Sequence, residues 1–121
     1  MELYLELKGK VPSKKNLTLF TKTGHVYPDP VIVTWMEISH WEIKSQLNKL
    51  EDKSFLPFKE IVKVKIEFET DRRSDLDNMV SSIFDLLQQA EVIENDRLIY
   101  ELESKKIYSK EFITRVWITR S

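Results

Sequence analysis

The sequence contains no cysteine, which excludes disulfide bonds and metal sites built on thiolates. Its two histidines, His25 and His40, are not arranged as the paired histidines of zinc motifs are, so a structural zinc site is not expected. There is no apolar run of about 18 residues, and no signal-like segment follows Met1. We therefore expect a cytoplasmic protein without a membrane-spanning helix.

The sequence also lacks an excess of charge of either sign, because the net charge of its 121 residues is −1. A balance of this kind argues against a general nucleic-acid-binding domain, which is usually basic. However, the segment from Leu7 to Thr23 has no acidic residue and contains five lysines, at positions 8, 10, 14, 15 and 22. It is either a cationic arm that attracts a polyanion or an ordinary solvated loop, and the sequence leaves both interpretations open.

The alternation of apolar and polar residues predicts the fold class. Strands are predicted around residues 3–7, 62–68, 97–108 and 111–119, with a short strand or hairpin near His25. Ser109 and Lys110 fit a tight turn between the last two strands. Helices are predicted from Pro30 to about Leu50, after an Asp29 N-cap, and from about Ser74 or Asp75 onward. This order predicts a single α+β domain over residues 1–121, with a mixed β-sheet and two main helices.

The most unusual stretch is Asp71-Arg72-Arg73-Ser74-Asp75-Leu76-Asp77-Asn78, at the boundary between a predicted strand and the second helix. Carboxylates this close together repel one another unless arginines or a hard divalent cation neutralise them. Helix capping explains one or two of these polar residues, and it is the plainer alternative. Capping does not require Ser74, Asp75, Asp77 and Asn78 together.

Asp96 is the second candidate carboxylate, because it precedes the next predicted strand. If that strand lies beside the one that ends near Thr70, Asp96 could approach Asp75 and Asp77. Three carboxylates at one end of a sheet would form a Mg²⁺ site that activates water for attack on a phosphodiester. Asn95-Asp96 is alternatively ordinary turn chemistry.

The central block, together with Phe84-Asp85 and Val92-Ile93-Glu94-Asn95-Asp96, resembles the RusA family of Holliday junction resolvases. The segment Val11-Pro12-Ser13-Lys14-Lys15-Asn16 is similar to the family's Pro-Ser-x-Asn loop. The similarity spans roughly residues 3 to 118, and its central block is the most specific part.

The resemblance implies a homodimeric, Mg²⁺-dependent endodeoxyribonuclease that nicks branched four-way DNA junctions during DNA recombination and repair. It implies that Asp75, Asp77 and Asp96 are the catalytic metal ligands. Phosphates of the DNA would be contacted by Lys14, Lys15, Asn16, Arg72, Arg73 and Lys106. Asn78 is expected to orient a carboxylate. Asp71 is expected to pair with the arginines and Asp85 to be a surface residue of the helix, so neither is assigned to the metal site.

The sequence departs from the family at three positions. Ser81 stands where the family usually has a catalytic lysine, Asn95 replaces one acid of an acidic pair, and Glu91 replaces a glycine. A junction-binding protein with weak or no nuclease activity is therefore the main alternative. An unrelated acidic interaction module is a third possibility, favoured by the net charge.

Overall fold

A computed structural model of the protein describes residues 2–13, 18–20 and 22–121. Six strands, two α-helices and one short 3-10 helix are found in these ranges. They follow in the order β1 (Glu2–Lys8), β2 (Thr18–Phe20), β3 (Val26–Pro28), α1 (Pro30–Leu47), β4 (Val62–Thr70), α2 (Leu76–Gln89), the 3-10 helix Asp96–Leu98, β5 (Ile99–Tyr108) and β6 (Ile113–Arg120). The predicted α+β class and element order are confirmed.

The main sheet has four strands in the order β1-β6-β4-β5, while β2 and β3 form a separate pair. β6 pairs antiparallel with both β1 and β4, and β5 pairs parallel with β4. The predicted tight hairpin at Ser109 and Lys110 is therefore wrong, because β4 lies between β5 and β6. The helical crossover from β4 through α2 places β5 parallel to β4, and β6 then takes the opposite side of β4.

The hydrophobic core lies between the two helices and one face of the sheet. β4 alternates strictly between buried and half-buried positions, as a strand with neighbours on both sides requires. The core side chains of β4 meet those of β1, β6, α1 and α2 in one cluster. The opposite face of the sheet carries charged pairs such as Arg115 with Glu69 and Lys105 with Glu67.

Helix α1 begins as the sequence predicts and ends one turn earlier. Asp29 is the N-cap and accepts a hydrogen bond from the Val31 N–H at 2.9 Å, with Pro30 as the first helical residue. The helix ends at Leu47 rather than near Leu50. In the ranges that the structure describes, no helix is long and apolar enough to cross a membrane.

The backbone at the end of α2 favours glycine at position 91, where this chain has Glu91. Glu91 has a φ of 59°, in the left-handed region where glycine is favoured. The next N–H, of Val92, donates to the carbonyl of Leu87 at 2.9 Å, which closes the last turn of the helix. A glycine at position 91 would therefore suit this backbone conformation better than glutamate does.

Candidate active site

The loop between β4 and α2 is organised by Asp71. Its Oδ1 accepts hydrogen bonds from the backbone N–H groups of Arg73 at 3.1 Å and Ser74 at 3.0 Å, and from the Ser74 hydroxyl at 2.8 Å. Its Oδ2 forms an ion pair with Lys10 Nζ at 2.7 Å. Asp71 therefore fixes the loop that carries Arg72 and Arg73 and leads into α2.

The ion pair predicts a measurable pH dependence of stability. The bonds from Lys10 and then Ser74 lower the pKa of Asp71 to about 2. In the unfolded chain the pKa of an aspartate is about 3.9. The ionised Asp71 carboxylate therefore stabilises the folded state fully above roughly pH 4, and this stabilisation is lost as the pH falls towards 2. We expect Asp71→Asn to be less stable than the native chain at pH 7, with the difference shrinking between about pH 4 and 2. Urea unfolding at several pH values measures it.

Lys10→Met is the matched variant for this experiment. If Lys10 is the main partner, Asp71→Asn should destabilise the Lys10→Met background less than it destabilises the native chain. An equal loss of stability at pH 7 and pH 2.5 would contradict the assignment.

The start of α2 presents Asp75 and Asp77 to solvent. Asp75 occupies the N-cap position, yet its side chain makes no capping hydrogen bond. Its Oδ2 instead accepts from Asn78 Nδ2 at 3.2 Å. Capping therefore does not explain the Asp75 carboxylate, and the contact is the one expected if Asn78 orients it. Ser81 is exposed one turn beyond Asp77 on the same side of the helix.

Asp96 lies at the opposite end of the β4–α2–β5 unit. β5 begins with Ile99 opposite Val62, at the start of β4, whereas Asp75 follows the end of β4. The N–H of Asp96 donates to the side chain of Gln88 near the end of α2, at 3.2 Å. Asp77 and Gln88 are 11 residues apart on α2, which is about 17 Å along the helix axis.

The expectation that Asp75, Asp77 and Asp96 approach one another within a single chain is therefore wrong. The predicted strand does lie beside β4, but its parallel direction puts its first residues at the far end. Among the residues with described positions, no three His, Asp or Glu side chains are close enough together to hold a metal ion.

The carboxyl group on which the charge of Asp96 acts is that of Asp85. Burial raises the pKa of the Asp85 carboxyl, and the negative charge of Asp96 raises it further. Asp85 is half-buried on α2, two turns beyond Asp77. The sequence predicts Asp85 to be a surface residue of the helix, and its spacing of four from Ser81 and eight from Asp77 places it on the same side of the helix as both.

The predicted basic residues divide into three groups. Arg72 and Arg73 are exposed on the loop, and the Arg72 guanidinium lies over the Tyr108 ring at 4.5 Å. Lys106 donates to the backbone carbonyls of Arg72 at 3.2 Å and Ser74 at 2.7 Å, so it supports this loop from β5. Lys14, Lys15 and Asn16 lie outside the described residues.

The described part of the N-terminal loop reaches α2. The Ser82 hydroxyl donates to the carbonyl of Pro12 at 3.1 Å, and Ser82 is buried by this contact. This contact anchors Pro12 to α2 one turn beyond Asn78. Local sequence pattern does not predict the contact of Ser82 with Pro12 or that of Lys10 with Asp71, because each joins residues far apart in the chain.

An α+β domain with exposed carboxylates at a helix start, beside a loop of two exposed arginines, can bring acidic groups against the phosphate backbone of a nucleic acid. The comparisons with known proteins identify the family. Residues 9–119 match the family model of endodeoxyribonuclease RusA. The chain is 32% identical over 110 residues to the crossover junction endodeoxyribonuclease RusA of Aquifex aeolicus (strain VF5), a match that covers 91% of this chain and 82% of that protein. The chain belongs to the RusA family.

Proposed function

We propose that this protein is a Mg²⁺-dependent endodeoxyribonuclease that resolves four-way DNA junctions. The observation that carries the proposal is the start of α2. There Asp75 and Asp77 are exposed beside Arg72 and Arg73, within the residues that match the family model. The arginines attract the phosphate backbone, and the rigid helix start holds the carboxylates where a phosphodiester would lie.

Carboxylate oxygens are the ligands that Mg²⁺ prefers, so the donor set of Asp75, Asp77 and Asp96 fits this cation. When bound, the ion would activate water and neutralise charge on the phosphodiester. Asn78 would hold the Asp75 carboxylate in one orientation through its 3.2 Å hydrogen bond. Asp71 and Lys106 would act as positioning residues, because the side chains of both hydrogen-bond to backbone groups of the loop between β4 and α2.

A homodimer would bring the separated carboxylates together. One chain holds Asp75 and Asp77 at one end of the β4–α2–β5 unit and Asp96 at the other. A two-fold axis can place the first end of one subunit against the second end of its partner, which creates two equivalent sites. A four-way junction has approximate two-fold symmetry and is resolved by two nicks, so two such sites match its geometry.

We expect light scattering at micromolar concentration to give twice the chain mass of 14.4 kDa. The same preparation should nick a labelled synthetic four-way junction with Mg²⁺ and not after chelation, whereas a linear duplex of the same sequence should stay intact. A stable monomer, or cleavage that persists in excess chelator, would contradict this proposal.

One observation favours a second function. Ser81 is exposed where a lysine would reach a phosphate bound at Asp77, and serine is too short to do so. A junction-binding protein with weak or no nuclease activity fits this residue. A gel shift of the four-way junction without any nicking in Mg²⁺ would support that function, and absence of a shift at low salt would exclude both.

A further inference from the structure

The two edge strands of the four-stranded sheet, β1 and β5, differ in whether side chains bind their outward backbone groups. At the β1 edge, the α1 side chain Gln46 accepts from the Glu6 N–H at 2.9 Å and donates to the Glu6 carbonyl at 2.7 Å. Glu42 accepts from the next outward N–H, of Lys8, at 3.0 Å. These side chains occupy backbone groups of Glu6 and Lys8 that another strand would bind, so α1 closes the second half of this edge.

The β5 edge is long and is not closed in this way by any strand or side chain among the described residues. Four of the ten β5 residues are exposed large apolar side chains, which are Tyr100, Leu102, Ile107 and Tyr108. Leu102 lies opposite the buried Val64, and Tyr108 lies opposite the buried Thr70. The side chains of Leu102 and Tyr108 are therefore on the core face of the sheet, but they are exposed at its edge. An open apolar edge strand is a surface for pairing with another strand.

We infer that β5 pairs antiparallel with β5 of a second copy of this chain, so that the two sheets join into one across a two-fold axis. This inference rests on the proposed dimer and specifies its interface. In an antiparallel pair, residues that lie opposite each other point to the same face of the sheet. A two-fold axis normal to the joined sheet therefore passes beside one residue of β5, which lies opposite its own copy in the partner subunit. The charges along β5 select which residue that is.

Ser104 is the residue that fits at the axis. Glu103 of each subunit is then opposite Lys105 of the partner subunit, which is a favourable cross-strand pair. Within the chain, Glu103 already faces Lys63 at 3.9 Å and Lys105 faces Glu67 at 3.3 Å. The joined sheet therefore carries a row of charges that alternates in sign on its open face.

The neighbouring registers are unfavourable for the same electrostatic reason. An axis at Glu103 or at Lys105 puts like charges directly opposite each other, and an axis at Leu102 opposes Glu101 to Glu103 of the partner subunit. Pairing about Ser104 also places the start of β5 beside the end of the partner's β5. Asp96 of one subunit then lies at the same end of the joined sheet as Asp75 and Asp77 of the partner subunit.

The absence of cysteine allows a direct test by disulfide formation. Opposed residues in an antiparallel pair have Cα atoms about 4.5–5.5 Å apart, within the range of a disulfide bond. We expect Ser104→Cys to form a covalent dimer under mild oxidation in most of the protein, without loss of the folded state. Leu102→Cys is the matched control, because its own copy would lie about 14 Å away along the strand.

A mixture of Glu103→Cys and Lys105→Cys chains tests the register independently of Ser104. It should yield a heterodisulfide, while Glu103→Cys alone should not crosslink. Trp41→Cys probes the exposed apolar side of α1, where Trp41 is 71% accessible. Preferential crosslinking there, or at Leu102, would overturn the inference, as would a dimer that none of the β5 cysteines traps.

Crosslinking is read on denaturing gels and does not depend on nuclease activity. A dimer that nicks junctions but is not trapped by the Ser104→Cys or mixed variants would contradict the β5 interface and leave the proposed function standing. A chain that is trapped at Ser104 but fails to nick would support the interface and contradict the proposed function.

Discussion

Mixed subunits of Asp77→Asn and Asp96→Asn are expected to regain the junction cleavage that neither variant performs alone. If each site takes Asp75 and Asp77 from one subunit and Asp96 from the other, the heterodimer has one site with all three carboxylates and one that lacks two. Random exchange makes half of the dimers heterodimers, so the mixture should recover roughly a quarter of the native number of sites. Each parent should lose on the order of a hundredfold or more in rate.

The experiment has a matched control in the same helix turn. Asp75→Asn mixed with Asp77→Asn should regain nothing, because both substitutions affect the same half of the site and every heterodimer site lacks one of them. Recovery is measured as nicking of a labelled junction in Mg²⁺ after the subunits have exchanged. If Asp77→Asn and Asp96→Asn remain inactive together although exchange is demonstrated, the shared site is excluded.

Binding separates a catalytic effect from a structural one in these variants. Asp77 is exposed, and replacing its carboxylate by an amide removes repulsion of the phosphate backbone. We expect Asp77→Asn to bind the junction as tightly as the native chain or more tightly in a gel shift. Weaker binding would place Asp77 in the structure of the DNA interface instead of the reaction.

Ser81→Lys is expected to accelerate cleavage by on the order of a hundredfold, the usual effect of one positioned electrostatic contact in a transition state. Ser81 is exposed one turn beyond Asp77 and one turn before Asp85. A lysine there would be flanked by two carboxylates on its own side of the helix, which helps to direct its ammonium group. The single-turnover rate with saturating enzyme measures the chemical step without product release.

Ser81→Gln is the control for this gain, since glutamine has a similar reach and no charge. It should leave the rate near that of the native chain. If Ser81→Lys gives no acceleration, another lysine already serves the phosphate, and Lys14→Ala and Lys15→Ala should then slow cleavage. Lys106→Ala is less informative, because Lys106 also supports the loop through the carbonyls of Arg72 and Ser74.

Local pattern predicted the elements well because the burial of a strand or a helix face leaves a period in the sequence. The alternation from Val62 to Phe68 became the central strand β4, and the spacing from Met79 to Leu87 became the buried side of α2. Asp29 and Pro30 set the start of α1 through a cap that involves only neighbouring residues. The contact of Asn78 with Asp75 is equally local.

Only the tertiary structure decided which strands are neighbours. Ser109 and Lys110 suit a hairpin, yet β4, in which every second residue is buried, lies between β5 and β6. That choice makes β5 parallel to β4, carries Asp96 away from Asp75 and leaves β5 as an open edge. The period of a sequence indicates which face of a helix or strand is buried. Strand order and direction depend instead on contacts between residues that are distant in the chain. For this reason only the tertiary structure shows that Asp96 and Asp75 lie at opposite ends of the β4–α2–β5 unit.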